Sequence, residues 1–280
     1  VQEDEMNLNS KTKLNNGVEI PWVGLGVFQS EPGPETEHAV RWALDIGYRH
    51  IDTASFYKNE ESVGKALAST SVSRDDIFVT TKVWNDQQGY EKTLTAFDES
   101  RKKLGLDVVD LYLVHWPIAE TRLETWKALT KLYEEKKVRA IGVSNFMKAH
   151  LKEIMENSDV VPAVNQVEFH PFLLQPELLS FDNSNEIQHE AWSPLTRTKL
   201  WNNSVIDSIA KRHERSRAQI LLRWDLQKGV VTIPKSVNHD RIKENSEIFD
   251  FELSEEEVAQ LDGLDRSERI GPDPDEMASR

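Results

Sequence analysis

Along nearly the whole chain, short apolar runs alternate with segments whose apolar residues recur at spacings of three and four. The runs at residues 23–25, 48–52, 77–82, 109–115, 140–144, 164–168, 187–192 and 230–233 are strand candidates. Between them, residues 37–46 carry Val40, Ala43 and Leu44 on one face and stop at Gly47. Residues 91–104 carry Leu94, Phe97 and Leu104 and stop at Gly105. Residues 122–136 carry Leu123, Trp126, Leu129, Leu132 and Tyr133, and residues 217–228 carry Ile220, Leu221, Trp224 and Leu226 before Gly229. Such spacings, mostly closed by a glycine, predict amphipathic helices with their terminators. A further helix is predicted at residues 254–264, after the last strand. Ahead of the first strand, the Asn15-Asn16-Gly17 turn within residues 11–23 predicts a hairpin.

Eight strands alternating with helices predict an α/β fold, a closed parallel (β/α)8 TIM barrel with an N-terminal β-hairpin and an extra C-terminal helix and tail. The competing arrangement is an open doubly wound sheet, which needs a phosphate loop after its first strand. Gly24-Leu25-Gly26 stands there, but the third glycine position holds Gln29 and no amphipathic helix starts at once. The barrel is the better fit. No linker, repeat or low-complexity tract interrupts the alternation, so residues 1–280 are expected to form a single domain, with residues 1–5 set aside as a tail.

Composition narrows the function classes. A length of 280 residues suits one α/β barrel. With 38% hydrophobic and 29% charged residues the chain is neither a membrane protein nor disordered. Lys and Arg number 34 against 48 Asp and Glu, a net charge of −14 that repels phosphate backbones, so no nucleic-acid partner is expected. Cysteine is absent, which excludes disulfides, Cys-ligated zinc, iron–sulfur clusters and a thiol nucleophile. No apolar run is long enough to span a bilayer, and the first residues are acidic rather than signal-like. A soluble, cytoplasmic protein is expected.

In a barrel, function sits at the C-terminal ends of the strands and in the loops that follow. The second strand ends at Asp52 and its loop carries Tyr57; the third ends at Lys82 and the fourth at His115. A carboxylate and an ammonium facing one barrel mouth would pair, since either alone carries a large desolvation cost. A Tyr hydroxyl beside that Lys is expected to have its pKa lowered. Such a phenol gives its proton to a carbonyl oxygen as charge develops there, with a neutral His orienting the same oxygen. This is a carbonyl-reduction site lacking only a hydride donor. Each residue alone also admits a plain structural reading: an ion pair, a packed Tyr, a satisfied core His. Their coincidence at the ends of three consecutive strands weighs against the plain readings and leaves both open.

At these residues the sequence resembles the aldo-keto reductase family. The likeness is carried by Gly47-Tyr-Arg-His-Ile-Asp52-Thr-Ala, Tyr57-Lys-Asn-Glu60, Thr80-Thr-Lys82-Val-Trp84 and Asp110-Leu-Tyr-Leu-Val-His115-Trp-Pro117. It continues through Ile141-Gly-Val-Ser-Asn-Phe146, Asn165-Gln166-Val-Glu-Phe-His-Pro171 and Ile233-Pro-Lys-Ser236. Within the family it is most similar to bacterial glyoxal/methylglyoxal reductases and 2,5-diketo-D-gluconate reductases. The resemblance implies reduction of small dicarbonyls and aromatic aldehydes with NADPH, by a monomer that needs no metal. It implies Tyr57 as general acid, Lys82 as the neighbour that lowers its pKa, Asp52 as the holder of Lys82, and His115 as carbonyl orienter. It implies Ser144, Asn145 and Gln166 at the cofactor carboxamide, Trp192 stacked on the nicotinamide, and Ser193 and Leu195 at the pyrophosphate. Lys235, Ser236 and Arg241 fall where the adenosine phosphate binds, and Glu244 and Asn245 where adenine binds. Phe28, Trp84 and Trp116 are the expected substrate pocket, while Trp22 is expected in the core.

This chain departs from its relatives in places. A glycine-containing turn after the seventh strand is replaced by Ser193-Pro-Leu-Thr-Arg-Thr-Lys199, where Arg197 or Lys199 substitutes charge for flexibility. His189 stands where relatives carry an aliphatic residue and is expected to be packed. Asn185-Glu186 replaces a helix-stopping glycine, at some expected loss of local stability. The loop at residues 118–122 is short and the tail ends soon after Gly271, which implies an open mouth and broad selectivity. Competing classes fit less well. A cofactor-binding regulatory subunit on the same barrel lacks a partner-binding extension here. A metal-dependent barrel hydrolase lacks clustered ligands, and a Ser hydrolase lacks the Gly-x-Ser-x-Gly elbow.

Overall fold

The computed structural model describes residues 6–200 and 202–279; the expected tail at residues 1–5 lies outside them. Strands β1 (Lys11–Lys13) and β2 (Glu19–Pro21) pair antiparallel as the predicted hairpin, with Thr12 opposite Ile20. Gly17 turns the chain at φ +86°, a conformation that favours glycine. Leu14 and Ile20 of the hairpin are buried with Phe78, Leu111, Leu113, Ala140, Val164 and Val231. The hairpin therefore plugs the end of the barrel opposite the strand C-termini.

Eight parallel strands follow: β3 (Leu25–Gly26), β4 (His50–Asp52), β5 (Phe78–Val83), β6 (Val109–Val114), β7 (Val138–Ser144), β8 (Val164–Glu168), β9 (Gln188–Trp192) and β10 (Val231–Thr232). They are hydrogen-bonded in sequence order from β3 to β10. Parallel bridges from Val23 to Thr232 and from Gly26 to Lys235 join the two edges and close the ring. Closure explains the glycine pair at the first strand. A Cβ on Gly26 would lie 2.9 Å from the Ile233 carbonyl oxygen, and one on Gly24 would lie 2.6 Å from His50 Nδ1. These glycines admit a neighbouring strand and a buried ring, rather than a phosphate.

The helices among the described residues are α1 (Pro34–Ile46), α2 (Glu60–Ser69), α3 (Tyr90–Leu104), α4 (Arg122–Glu134), α5 (Lys148–Glu156), α6 (Pro176–Ser184), α7 (Ser204–His213), α8 (Arg217–Gln227), α9 (His239–Ser246), α10 (Glu255–Asp262) and α11 (Pro274–Ala278). Helix α1 starts a turn earlier than its apolar pattern, because Pro34 in the first turn needs no N–H partner. Helix α4 stops two residues before the predicted end, where Lys136 turns to φ +57°. Helix α10 begins behind the capping box of Ser254 and Glu257. No helix among the described residues is long and apolar enough to cross a membrane. His189 is packed as expected: it is fully buried, with Nδ1 2.7 Å from Asp182 Oδ2 of α6 and its ring edge-on to Phe169. Glu186 holds the left-handed φ of +57° that a glycine would fill without strain.

Candidate active site

The parallel register brings one end of each strand to a common rim. Asp52 ends β4, and the chain then makes a single 3₁₀ turn, Ser55–Tyr57, that returns Tyr57 over the barrel. Lys82, next to last in β5, is fully buried. Its Nζ donates to Asp52 Oδ1 at 2.7 Å, to the Thr53 carbonyl at 2.9 Å and to the Tyr57 hydroxyl at 3.4 Å. His115 follows β6, with its ring 5.8 Å from that of Tyr57. The four residues expected to act together are assembled.

Their charge states follow from burial and from each other. Burial opposes the Lys82 charge, but Asp52 and Tyr57 outweigh it and hold the ammonium above its ordinary pKa. Burial pushes Asp52 up, against the pull of Lys82 and of a hydrogen bond from Gln166. Burial, and then Lys82, push His115 well below the usual imidazole value, so its ring is neutral. Its Nδ1 has no hydrogen-bond partner. Tyr57 corrects the sequence expectation. Its phenol is raised, not lowered: burial is the largest effect, Lys82 pulls down, and Asp52 pushes up again.

Ser144, Asn145, Gln166 and Trp192 join the same rim. Ser144 Oγ donates to the Gln166 carbonyl at 2.7 Å. Asn145, at φ +63°, donates from Nδ2 to the His115 carbonyl at 3.0 Å and accepts from Trp192 Nε1 at 2.8 Å. Gln166 Nε2 donates to Asp52 Oδ2 at 2.8 Å. The Trp192 ring is half-buried, its N–H fixed to Asn145 and one edge against Gly271, where a Cβ would be 2.4 Å from the ring. Gly271 is held there because its N–H and that of Ile270 donate to the Glu168 carboxylate, at 3.0 and 2.6 Å.

The loop after β9 runs left-handed on non-glycine residues: Ser193, Thr196, Arg197 and Thr198 all have φ between 48° and 62°. Leu195 packs on the core, and Arg197 Nε donates to Ser193 Oγ at 3.2 Å. The Arg197 guanidinium lies 5.3 Å from the Phe28 ring and 5.7 Å from the Trp192 ring. The charge expected in this turn is thus placed over the mouth.

Lys235 and Ser236 precede α9, and Arg241, Glu244 and Asn245 lie on it; among the described residues none has a hydrogen bond or ion pair to the four catalytic candidates. Lys235 and Arg241 are exposed, Glu244 is half-exposed, and Ser236 and Asn245 are buried. Asn238 caps α9 by accepting from the Arg241 N–H. Of the expected pocket, Phe28 packs 5.0 Å from Tyr57 and Trp84 stands edge-on to His115 at 5.0 Å. Trp116 is only 6% exposed, parallel to the His115 ring at 6.5 Å. The sequence reading missed Phe56, which is 42% exposed and stacks on Trp84 at 3.7 Å. An apolar residue next to Tyr57 in a loop was its signal.

A model of the Aldo/keto reductase family matches residues 23–266, and the chain belongs to that family. It is 53% identical to a glyoxal reductase of Bacillus subtilis (strain 168) over 271 residues, 97% of this chain and 98% of that protein. It is 42% identical to the methylglyoxal reductase DkgA of Escherichia coli (strain K12) over 269 residues, 95% of this chain and 97% of that protein. Among solved structures it is similar to a variant of Gox0644 in complex with NADPH, at a TM-score of 0.91 and 43% identity over 95% of this chain and 97% of that one.

Proposed function

We propose that this oxidoreductase reduces small dicarbonyls, such as glyoxal and methylglyoxal, and aromatic aldehydes to alcohols with NADPH. The observation that carries the reading is Lys82, buried at the barrel mouth and shared between Asp52 and the Tyr57 hydroxyl. The names of the two bacterial relatives support the substrate class, and the NADPH complex of a similar structure supports the cofactor.

The residues present suit that cofactor. Trp192 offers a half-exposed flat face held in place by Asn145. Lys235 and Arg241 are exposed cations without a carboxylate partner among the described residues, on a chain of net charge −14. Together they suit a phosphomonoester. Ser144, Asn145 and Gln166 would hold the carboxamide, Ser193 and Leu195 the pyrophosphate, Lys235, Ser236 and Arg241 the ribose phosphate, and Glu244 and Asn245 the adenine.

Bound NADPH supplies the hydride. Tyr57 keeps its proton at rest, because burial outweighs Lys82, and gives it to the carbonyl oxygen as negative charge develops. Lys82 then stabilises the phenolate, and Asp52 holds Lys82 in place. Neutral His115 has one N–H with which to orient the carbonyl oxygen. Phe28, Phe56, Trp84 and Trp116 would give it apolar surroundings.

The test is a substrate panel followed by NADPH absorbance. Glyoxal, methylglyoxal and benzaldehyde are expected to be consumed, and Tyr57→Phe to abolish most of that turnover. Failure to oxidise NADPH with every one of them would refute the reading.

A further inference from the structure

Deeper in the barrel than Trp192 lies a second carboxyl group with no cation of its own. Glu190, in the middle of β9, is fully buried, in register with Gln166 on one side and Val231 on the other. The Gln166 Nε2 that donates to Asp52 Oδ2 also donates to Glu190 Oε2 at 3.0 Å. One amide nitrogen thus joins two carboxyl groups. The other oxygen, Glu190 Oε1, has no hydrogen-bond partner. His50 Nε2 is 3.7 Å from it and is itself 3.1 Å from Thr80 Oγ1.

The titratable groups facing Glu190 are His50 and Asp52 from β4 and Lys82 from β5; β8 and β10 bring the neutral Gln166 and Val231. Burial, aided by Lys82, drives His50 down to about 3, so it carries no charge. Lys82 is one cation, already committed to Asp52 at 2.7 Å. Ionising both carboxyls would leave one buried charge unbalanced. The proton therefore rests on Glu190, which burial and then the Asp52 charge push up to about 8.

We infer that Glu190 is a positioning residue whose buried carboxyl, joined to Asp52 through the Gln166 amide, sets the charge that Lys82 and Tyr57 experience. The inference rests on Tyr57 being the proton donor. While Glu190 keeps its proton, Lys82 balances one anion and remains available to a developing phenolate. Once Glu190 ionises, a second negative charge competes for Lys82 and disfavours the phenolate, so proton donation slows.

Glu190→Gln retains the shape of the protonated acid and cannot ionise. Near pH 6.5 its turnover is expected within about threefold of wild type, with KM unchanged for both substrates. Wild-type turnover should then fall severalfold through about pH 8, while the variant holds until Tyr57 itself titrates. A second readout uses the cofactor-free protein. Between the ordinary Glu value and about 8, the folded state keeps a proton that the unfolded chain has released. Stability that depends on Glu190 therefore falls as pH rises across that window. The urea midpoint of wild type should drop relative to Glu190→Gln from about pH 5 to about pH 9. Superimposable turnover profiles, or a midpoint difference that does not change with pH, would each overturn the inference. If wild type reduces no carbonyl at all, the functional reading fails and the inference falls with it, even with midpoints that behave as expected.

Discussion

The Lys82 ammonium stands 3.4 Å from the Tyr57 hydroxyl, its longest contact of three, behind Asp52 Oδ1 and the Thr53 carbonyl. An ammonium has three protons to donate, so all three are assigned and only the one toward Tyr57 is weakly used. The phenol meanwhile stays above its ordinary pKa through burial. Lys82 therefore does little for the resting phenol and gains most when that oxygen becomes negative. An interaction that strengthens along the reaction is the kind that accelerates it.

Tyr57→Phe removes the hydroxyl and keeps the ring that packs on Phe28. Turnover should fall by about 10²–10⁴, the usual range for loss of a general acid. Cofactor affinity should barely change. The measurement is steady-state turnover alongside cofactor titration by tryptophan fluorescence. A variant with most of its turnover intact would remove Tyr57 from the proton path.

Lys82→Met should damage the fold as well as the reaction. It strands Asp52, 2% exposed, without its cation. Breaking a buried pair from one side costs about 3–5 kcal/mol. Adding Asp52→Asn should restore part of that stability, and acid should do the same for the single variant, because a buried carboxyl without a cation binds its proton more tightly folded than unfolded. Urea unfolding of the single and double variants at neutral and acidic pH decides it. A single variant as stable as wild type would show the pair to be energetically idle.

Asp52, Lys82 and His115 are legible in sequence because each closes or follows an apolar run, and strand period alone sends them to one rim. The Tyr57 pKa is not legible in this way. It is a balance of burial against two opposite charges, and its sign depends on distances that no spacing encodes. Glu190 had a visible signal, since Gln188-His189-Glu190 puts three polar residues in the middle of a strand candidate. Alternation along β9 sends Glu190 inward to Gln166 and His189 outward to Asp182. Reading that pair needs to know what each face meets. Helix α2 escaped for another reason: its buried face includes Val63, Gly64 and Ala66, and a Cβ on Gly64 would be 2.5 Å from the Lys103 carbonyl oxygen. Close helix packing uses small residues, which carry little periodic signal.

Selectivity should be broad. Between His115 and α4 the chain has only six residues, 116–121, with Thr121 Oγ1 donating to Gln88 Oε1 at 3.0 Å. The loop is tied to the end of α11, the Ala119 N–H donating to the Ala278 carbonyl at 2.9 Å, and Phe56 still stands 42% exposed. Small dicarbonyls and aromatic aldehydes should both be reduced, and bulky steroids should gain little from binding. Values of kcat/KM across such a panel test this; a preference of several hundredfold for one bulky substrate would contradict it.

Glu186→Gly should stabilise the protein. Glu186 follows α6 at φ +57°. A left-handed conformation costs an ordinary residue about 1–2 kcal/mol, against which glycine loses about 0.5–1 kcal/mol more entropy on folding. The net gain should be a few tenths to about 1 kcal/mol, read as a higher Tm. Ser184→Gly, at the end of α6, is the control and should lower it.

Cofactor choice rests on charge. NADPH differs from NADH by one phosphate on the adenosine ribose, carrying about −1.5 to −2 at neutral pH. A chain of net charge −14 repels that group unless local cations receive it. Arg241 and Lys235 are exposed near the start of α9, and neither has a carboxylate partner among the described residues. Asp240, the nearest acid in sequence, is 95% exposed and pairs with His239 at 3.2 Å, so it does not neutralise Arg241. The Arg241 backbone N–H is used by the Asn238 cap, which fixes the residue in the first turn while leaving its guanidinium free. A planar fork suits phosphate bidentately, and charge-assisted hydrogen bonds contribute about 1.5–3 kcal/mol each. Arg241→Ala should therefore lower NADPH affinity by about ten- to a hundredfold and leave NADH affinity nearly unchanged. Dissociation constants for both cofactors, from quenching of tryptophan fluorescence in wild type and variant, make the comparison. Equal losses for the two would show that Arg241 does not read the phosphate.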